Sequence, residues 1–268
     1  MRWPVSVWIV SNVPAWLLLL ALILLIAGGA VLVQRLVRGR YPKLADTAHN
    51  DVTRFAYGVV GFVYAFFIGF VVSAMWSQIN TEDGQARNEA AAAVQLANDA
   101  TVFDKADSDR VRQALLDYER AALAEWPVAA NGRSYPDADK AMQRLYAAYE
   151  SIQPQTETQK TFLSRSFTNL DKVSQARTER VLQAQIAVGP SWSLWMVILL
   201  TSGLVLACSI IYGVEEPRMH YAMVMTVGVL VAANLFLVME LSHPFVGELA
   251  TTPDPLRDVV EVLSSPST

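Results

Sequence analysis

Four apolar stretches, two on each side of a long polar insert, constrain this chain more than any single residue does. They run over about Trp16–Leu36, Phe55–Ser77, Trp192–Gly213 and Tyr221–Leu241. Each holds about 20 residues, enough for a helix to cross the roughly 30 Å hydrocarbon core of a bilayer. Charge enters them only near an end, at Arg35 in the first and Glu240 in the last. The expected fold is therefore all-α: a polytopic membrane protein of four transmembrane helices, with an antiparallel helical bundle between spans two and three. Its divisions are residues 1–77 (first helix pair), 78–191 (extramembrane bundle), 192–243 (second pair) and 244–268 (a short extramembrane tail). A hydrophobic fraction of 53% with only 17% charged residues fits the same class. The net charge of -4 speaks against a nucleic-acid or anionic-lipid partner. Cys208 is the one cysteine and lies inside the third span, so no disulfide framework exists.

Topology follows from charge. Only Arg2 precedes the first apolar run, whereas Arg35, Arg38, Arg40, Lys43 and Arg54 follow or close it. That order is the reverse of a signal peptide, so the first run reads as a retained span. The loop between spans one and two is short and carries the densest basic group, which places it in the cytoplasm. An odd number of crossings then puts the N-terminus, the insert and the C-terminus outside the plasma membrane of a bacterium.

The insert is alanine-rich, charged and helical in pattern. Asn80-Thr81-Glu82-Asp83 offers a cap for a new helix, but Arg87–Ala100 is equally consistent with a helix continuous with span two. After Asp107-Ser108, the residues Val111, Leu115, Tyr118 and Ala122 form one apolar stripe. Glu125-Trp126-Pro127 is expected to end it, since proline disfavours helix at the residue before it. The turn Asn131-Gly132-Arg133-Ser134 leads to Pro136-Asp137, a favourable helix start, and Met142, Leu145, Tyr146 and Tyr149 line that next helix. A break at Pro154 precedes a last helix over about Thr156–Val188, which Gly189-Pro190 separates from span three. Helices that leave and re-enter one membrane face must alternate in direction. With many alanines and few large apolar side chains, neighbouring subunits are expected to support such a bundle.

Span two has the most patterned sequence. Gly61, Ala65, Gly69 and Ser73 recur every four residues, and Phe62, Phe66 and Phe70 occupy the neighbouring stripe. Small residues let another helix approach closely. If one of these stripes faces a pore instead, it makes a hydrophobic constriction. Among polar residues in the spans, Asn234 needs an interhelical partner or water, and a water-filled conduit would supply one. No chain of mid-membrane Asp, Glu, His or Lys suited to a proton pump or ion-coupled transporter is present. Glu240 and His243 sit three apart at the end of the last span, a spacing metal sites use, but without further carboxylates they suggest no metal. A phosphate-binding glycine loop, a nucleophile elbow and a Cys-x-x-Cys pair are all missing, so neither an enzyme nor a cofactor is expected.

Three stretches carry a family likeness. They are Tyr64 to Ser73 with Asn88-Glu89-Ala90; Val111 to Tyr118 continuing to Glu125-Trp126-Pro127; and the closing His243-Pro244-Phe245-Val246-Gly247-Glu248 with Pro253-Asp254-Pro255. With these the chain resembles the bestrophin-like membrane family of bacteria and plastids, a domain family of unknown function. The resemblance implies kinship with anion channels. It also implies an insert on the cytoplasmic side, where bestrophins carry theirs, opposite to the side that charge assigns. Pro244 and Gly247 suggest a fixed turn at the membrane surface, with Glu248 capping a helix or ringing a vestibule.

Two functions follow as expectations. The first is a homo-oligomer in the lipid bilayer that conducts small ions, anions before cations, with the bundle as an outer vestibule. The second is a non-conducting scaffold or sensor whose bundle binds a ligand or partner protein. A channel turns the Gly61/Phe62 faces or Asn234 toward an axis; a scaffold buries them within the subunit.

Overall fold

The computed structural model describes residues 4–41, 50–131, 133–185, 189–214 and 216–265. Lys43, His49 and Gly132 lie outside the described residues, as does the predicted end of the insert's last helix at 186–188. Regular structure among the described residues is helical throughout: α1 (Pro4–Asn12), α2 (Ala15–Arg40), α3 (Asn50–Ala100), α4 (Lys105–Ala130), α5 (Pro136–Glu150), α6 (Glu157–Gln185), α7 (Trp192–Ile211), α8 (Pro217–Leu241) and α9 (Asp254–Ser264). Four of these, α2, α3, α7 and α8, are long and apolar enough to cross a membrane. The chain forms two compact units, residues 1–78 with 189–250, and residues 79–188 with 251–268.

In the first unit the apolar runs become helices because hydrocarbon offers no partner to a bare peptide group, and the helix satisfies its own. Pro14 separates α1 from α2 and holds an extended backbone (φ -54°, ψ 136°) between them. α2 packs extensively against α8. At its tightest point Gly228 lies on Ala27: a Cβ added to the glycine would come 2.6 Å from Ala27 Cα. The small residues Ala27 and Ala30, both buried, are thus the α2 side of a close helix crossing. Tyr64, Ile68 and Val71 of α3 pack with Ile198 and Val205 of α7 and Val231 and Val238 of α8. Arg38 donates to the Val214 carbonyl (3.0 Å), and the Arg35 guanidinium stands 5.3 Å from the centre of the Tyr221 ring.

In the second unit α4 is the hub, meeting α5, α6 and α9. The predicted stripe Val111, Leu115, Tyr118 and Ala122 is completely buried. Buried in the same unit are the small Ala138 and Ala141 of α5, which let helices come close, and the larger Leu145, Tyr149, Leu170 and Val173. Tyr149 donates to the Leu96 carbonyl (3.0 Å), tying α5 to α3. The C-terminal tail, expected as a short extramembrane segment, carries α9, whose Leu256, Val259 and Leu263 are buried. Arg112 of α4 holds its last turn by donating to the carbonyls of Val262, Leu263 and Ser265, a cation on the negative end of a helix.

One open alternative is settled and one local expectation changes. From Asn50 to Ala100 the helix is unbroken, so Asn80–Asp83 starts nothing new. α4 runs through Pro127 to Ala130 rather than ending before it. A proline this near the end of a helix removes a single backbone bond, and the buried contacts of Glu125 and Trp126 outweigh that loss. Asn131 completes the last turn by donating to the Pro127 carbonyl (2.8 Å).

The crossing at Gly228 gives a direct test. Gly→Ala in an open helix gains up to about 1 kcal/mol from propensity, and overpacking costs about 1–3 kcal/mol. Gly228→Ala should therefore lower the thermal midpoint of the detergent-solubilised protein. Gly203→Ala, whose Cβ meets nothing within 4 Å, should leave the midpoint unchanged or raise it.

Candidate functional site

One side of α3 is turned into the helix cluster by Tyr64, Ile68 and Val71. The other side stays open in the first unit: Phe62, Phe66 and Phe70 are 72%, 71% and 69% exposed. Ala65, Gly69 and Ser73 are exposed as well, and Gly61 is half-buried. A Cβ placed on Gly61 or Gly69 would meet nothing within 4 Å. Among the described residues the glycines of the small-residue stripe thus meet no neighbour, whereas Gly228, which the spacing does not single out, does.

Asn234 has a different setting. It is half-buried and lies with Ser202 of α7 beside the Tyr64 hydroxyl of α3, so three helices bring one polar side chain each to a common point. Tyr64 Oη and Ser202 Oγ are buried there without a well-formed hydrogen bond. Thr201, Ser209 and Thr226 instead bond carbonyls one turn back on their own helices.

The closing turn explains its own motif. Gly247 has φ +111°, and a Cβ there would meet Glu240 Oε2 at 2.9 Å and Val10 Cγ1 at 2.7 Å. Both the conformation and the space demand glycine. Glu248 accepts a hydrogen bond from the Ala15 amide (3.1 Å), placing a carboxylate on the positive end of α2. Glu240 and Pro244 are buried, and His243 Nδ1 lies 3.1 Å from the Met239 carbonyl. Among the described residues no three metal-ligating side chains converge.

The second unit contains what the sequence reading did not single out, a charged core. Arg180 of α6 is 2% exposed and binds Glu89 of α3 through two bonds, Nε to Oε2 at 2.9 Å and Nη2 to Oε1 at 3.1 Å. Tyr118 donates to Glu89 Oε1 at 2.7 Å. Arg177 grips Glu125 of α4 at 2.6 and 3.0 Å and reaches Asp139 of α5 at 2.7 Å. The Arg180 guanidinium also stands 5.1 Å from the Trp126 ring. Burial alone would lower both arginines, yet the carboxylates beside them hold each guanidinium above its ordinary range. Burial, and then the charge of Glu89, pushes the Tyr118 phenol well up. Glu89, Tyr118, Glu125 and Trp126 all come from the stretches that carry the family likeness. Their dispersed positions meet only because α6 supplies Arg177 and Arg180, which no apolar periodicity marks.

A polar groove of about 1090 Å³ lies between α3 and α6 in this unit, with Lys160, Arg165 and Lys172 on its rim. Each of these cations has a partner in the chain: Glu157 at 2.6 Å, Asp99 at 3.5 Å and Asn169 at 3.4 Å.

A family model described as the Bestrophin-like domain matches residues 16–256. Among solved structures, the chain is similar to a point variant of a bacterial bestrophin homologue from Klebsiella pneumoniae: TM-score 0.70, 13% identity, covering 94% of this chain and 99% of that one. A second variant of that homologue gives a TM-score of 0.64 at 14% identity, over 92% and 96% of the two chains. A variant described only as a membrane protein gives 0.64 at 12% identity, over 94% and 99%. No curated protein matches.

Removing one partner from the charged core leaves the other buried and uncompensated, at a cost of about 3–5 kcal/mol. Arg180→Met should lower stability on that scale in thermal unfolding. The double variant Glu89→Gln with Arg180→Met should lose less than Arg180→Met alone. Additive losses would show that the two side chains do not act as a pair.

Proposed function

The chain belongs to the bestrophin-like family, and on that premise we propose that this membrane protein is a homo-oligomeric ion channel that favours small anions, with the helical insert as its vestibule. The observation that carries this reading is the open face of α3. Tyr64, Ile68 and Val71 fill the middle of the helix cluster, so the conduit lies between copies of the chain. The stripe of Ala65, Gly69 and Ser73 is exposed and suits the close approach of a helix from a neighbouring copy. Phe62, Phe66 and Phe70 beside it then ring the axis as a hydrophobic constriction, which controls ions through wetting. A non-conducting scaffold would bury these faces within the subunit, and here they are open. Anion preference rests on the family kinship and on an open α3 face without a carboxylate. Asn234, turned to Tyr64 and Ser202, serves helix packing, and the closing turn of Glu240, His243, Pro244, Gly247 and Glu248 serves the seating of α2.

The purified protein in chloride-loaded liposomes should release chloride and run as an oligomer in detergent. Phe66→Ala should raise the flux severalfold by widening the constriction, and Asn234→Ala should leave conductance and selectivity unchanged. A protein that passes no ion over a range of pH and calcium would overturn the channel reading.

Orientation is part of the proposal. Arg35, Arg38, Arg40, Lys43 and Arg54 put the loop between spans one and two in the cytoplasm and the insert outside. Ser134 is exposed, and Cys208 is the one native cysteine. In a Cys208→Ser background, Ser134→Cys should react with an impermeant maleimide on intact cells. Reaction only after permeabilisation would place the insert in the cytoplasm, as in bestrophins.

A further inference from the structure

We propose that Glu119 is a proton-binding site in the core of the second unit, and that its bound proton keeps that core closed while proton loss at rising pH loosens it. Glu119 lies on α4, is fully buried, and neither of its carboxyl oxygens has a hydrogen-bond partner. An ionised carboxylate in that position would lack every compensation that burial of charge requires.

The charges around it are already balanced. From α3 comes Glu89 and from α6 come Arg180 and Arg177, while α4 itself adds Glu125 and Tyr118. On α5 the acid in this network is Asp139, which Arg177 takes, and α9 meets α4 through Arg112, whose guanidinium is spent on α9 carbonyls. Two buried carboxylates, Glu89 and Glu125, thus face two guanidiniums. Glu119 is a third carboxyl with no cation of its own. A buried guanidinium nitrogen, Arg180 Nη1, is left without a hydrogen-bond partner, Glu119 included. Burial, and next the negative charge of Glu89, hold the Glu119 carboxyl well above the usual carboxylate range, against the pull of Arg180.

Geometry also says what deprotonation would do. Arg180 ties α6 to α3 through Glu89 and touches Glu125 at 3.4 Å. A negative Glu119 competes with Glu89 for that single guanidinium, so the tie between helices weakens or water enters to solvate the third charge. The carboxyl binds its proton more tightly in the folded core than in the open chain. Its stabilisation is therefore complete below the ordinary carboxyl range and is lost as pH rises toward and through the native value. Proton binding at Glu119 involves only this unit and is independent of ion conduction.

The test uses the full chain in detergent, comparing wild type with E119Q from about pH 5 to about pH 9, across the window where a raised carboxyl differs from an ordinary one. Relative to E119Q, the wild-type folding equilibrium should weaken by about tenfold per pH unit while Glu119 stays protonated in the fold and ionised out of it. Infrared spectra should show a protonated-carboxyl stretch above the ordinary carboxyl range that E119Q lacks. Equal pH slopes for the two proteins, or the same carboxyl band in both, would overturn the proposal. If E119Q does not fold, E119M provides the same comparison. Failure of both neutral replacements to fold would also overturn it, since the neutral form is the one said to hold the core closed.

Discussion

Inside hydrocarbon an apolar side chain gains nothing by being hidden from water, so the four spans need another reason to stay together. Close approach supplies it. Where Gly228 rests on Ala27, backbone meets backbone, and the many small dispersion contacts that follow depend on there being no side chain between them. Polar features of the first unit follow the same economy. Thr201, Ser209 and Thr226 satisfy themselves on their own helices. Arg38 and Glu248 each meet a backbone group at or beyond a helix end.

The second unit meets the opposite problem. Water does drive burial there, but alanine-rich helices bring little large apolar surface to bury. Their small side chains allow helices close enough for long polar side chains to meet across the core. A buried ion network is only weak support for stability in general. In this unit its bonds are short and bidentate and it links α3, α4, α5 and α6, so it acts chiefly on which helix faces which.

Much of this was legible in the residues. The four spans stand out by length and composition alone, and the α4 stripe of Val111, Leu115, Tyr118 and Ala122 is buried as its period implies. Pro136 starts a helix where its fixed φ favours one. The misses have physical causes. At Pro127 the local rule predicts a helix end, while tertiary contacts of the residues just before it decide the outcome. Arg177 and Arg180 are charged residues on the inner side of α6, so an apolar pattern registers them as interruptions. The fold of the tail was hidden because α9 is short, and its apolar face makes sense only beside Arg112 and α4.

Small residues show where reading a sequence stops. Gly61, Ala65, Gly69 and Ser73 have the regular spacing that signals a helix crossing, yet among the described residues a Cβ on Gly61 or Gly69 would meet nothing, and Ala65, Gly69 and Ser73 are exposed. Gly228 belongs to no such series and marks a close crossing of α2 and α8 in the first unit. Spacing records that a face is able to admit a partner; it does not say whether the partner is the same chain. The open α3 face therefore argues for a second copy only together with Phe62, Phe66 and Phe70. A subunit that merely needed to be surrounded by lipid would have no use for a glycine stripe beside them.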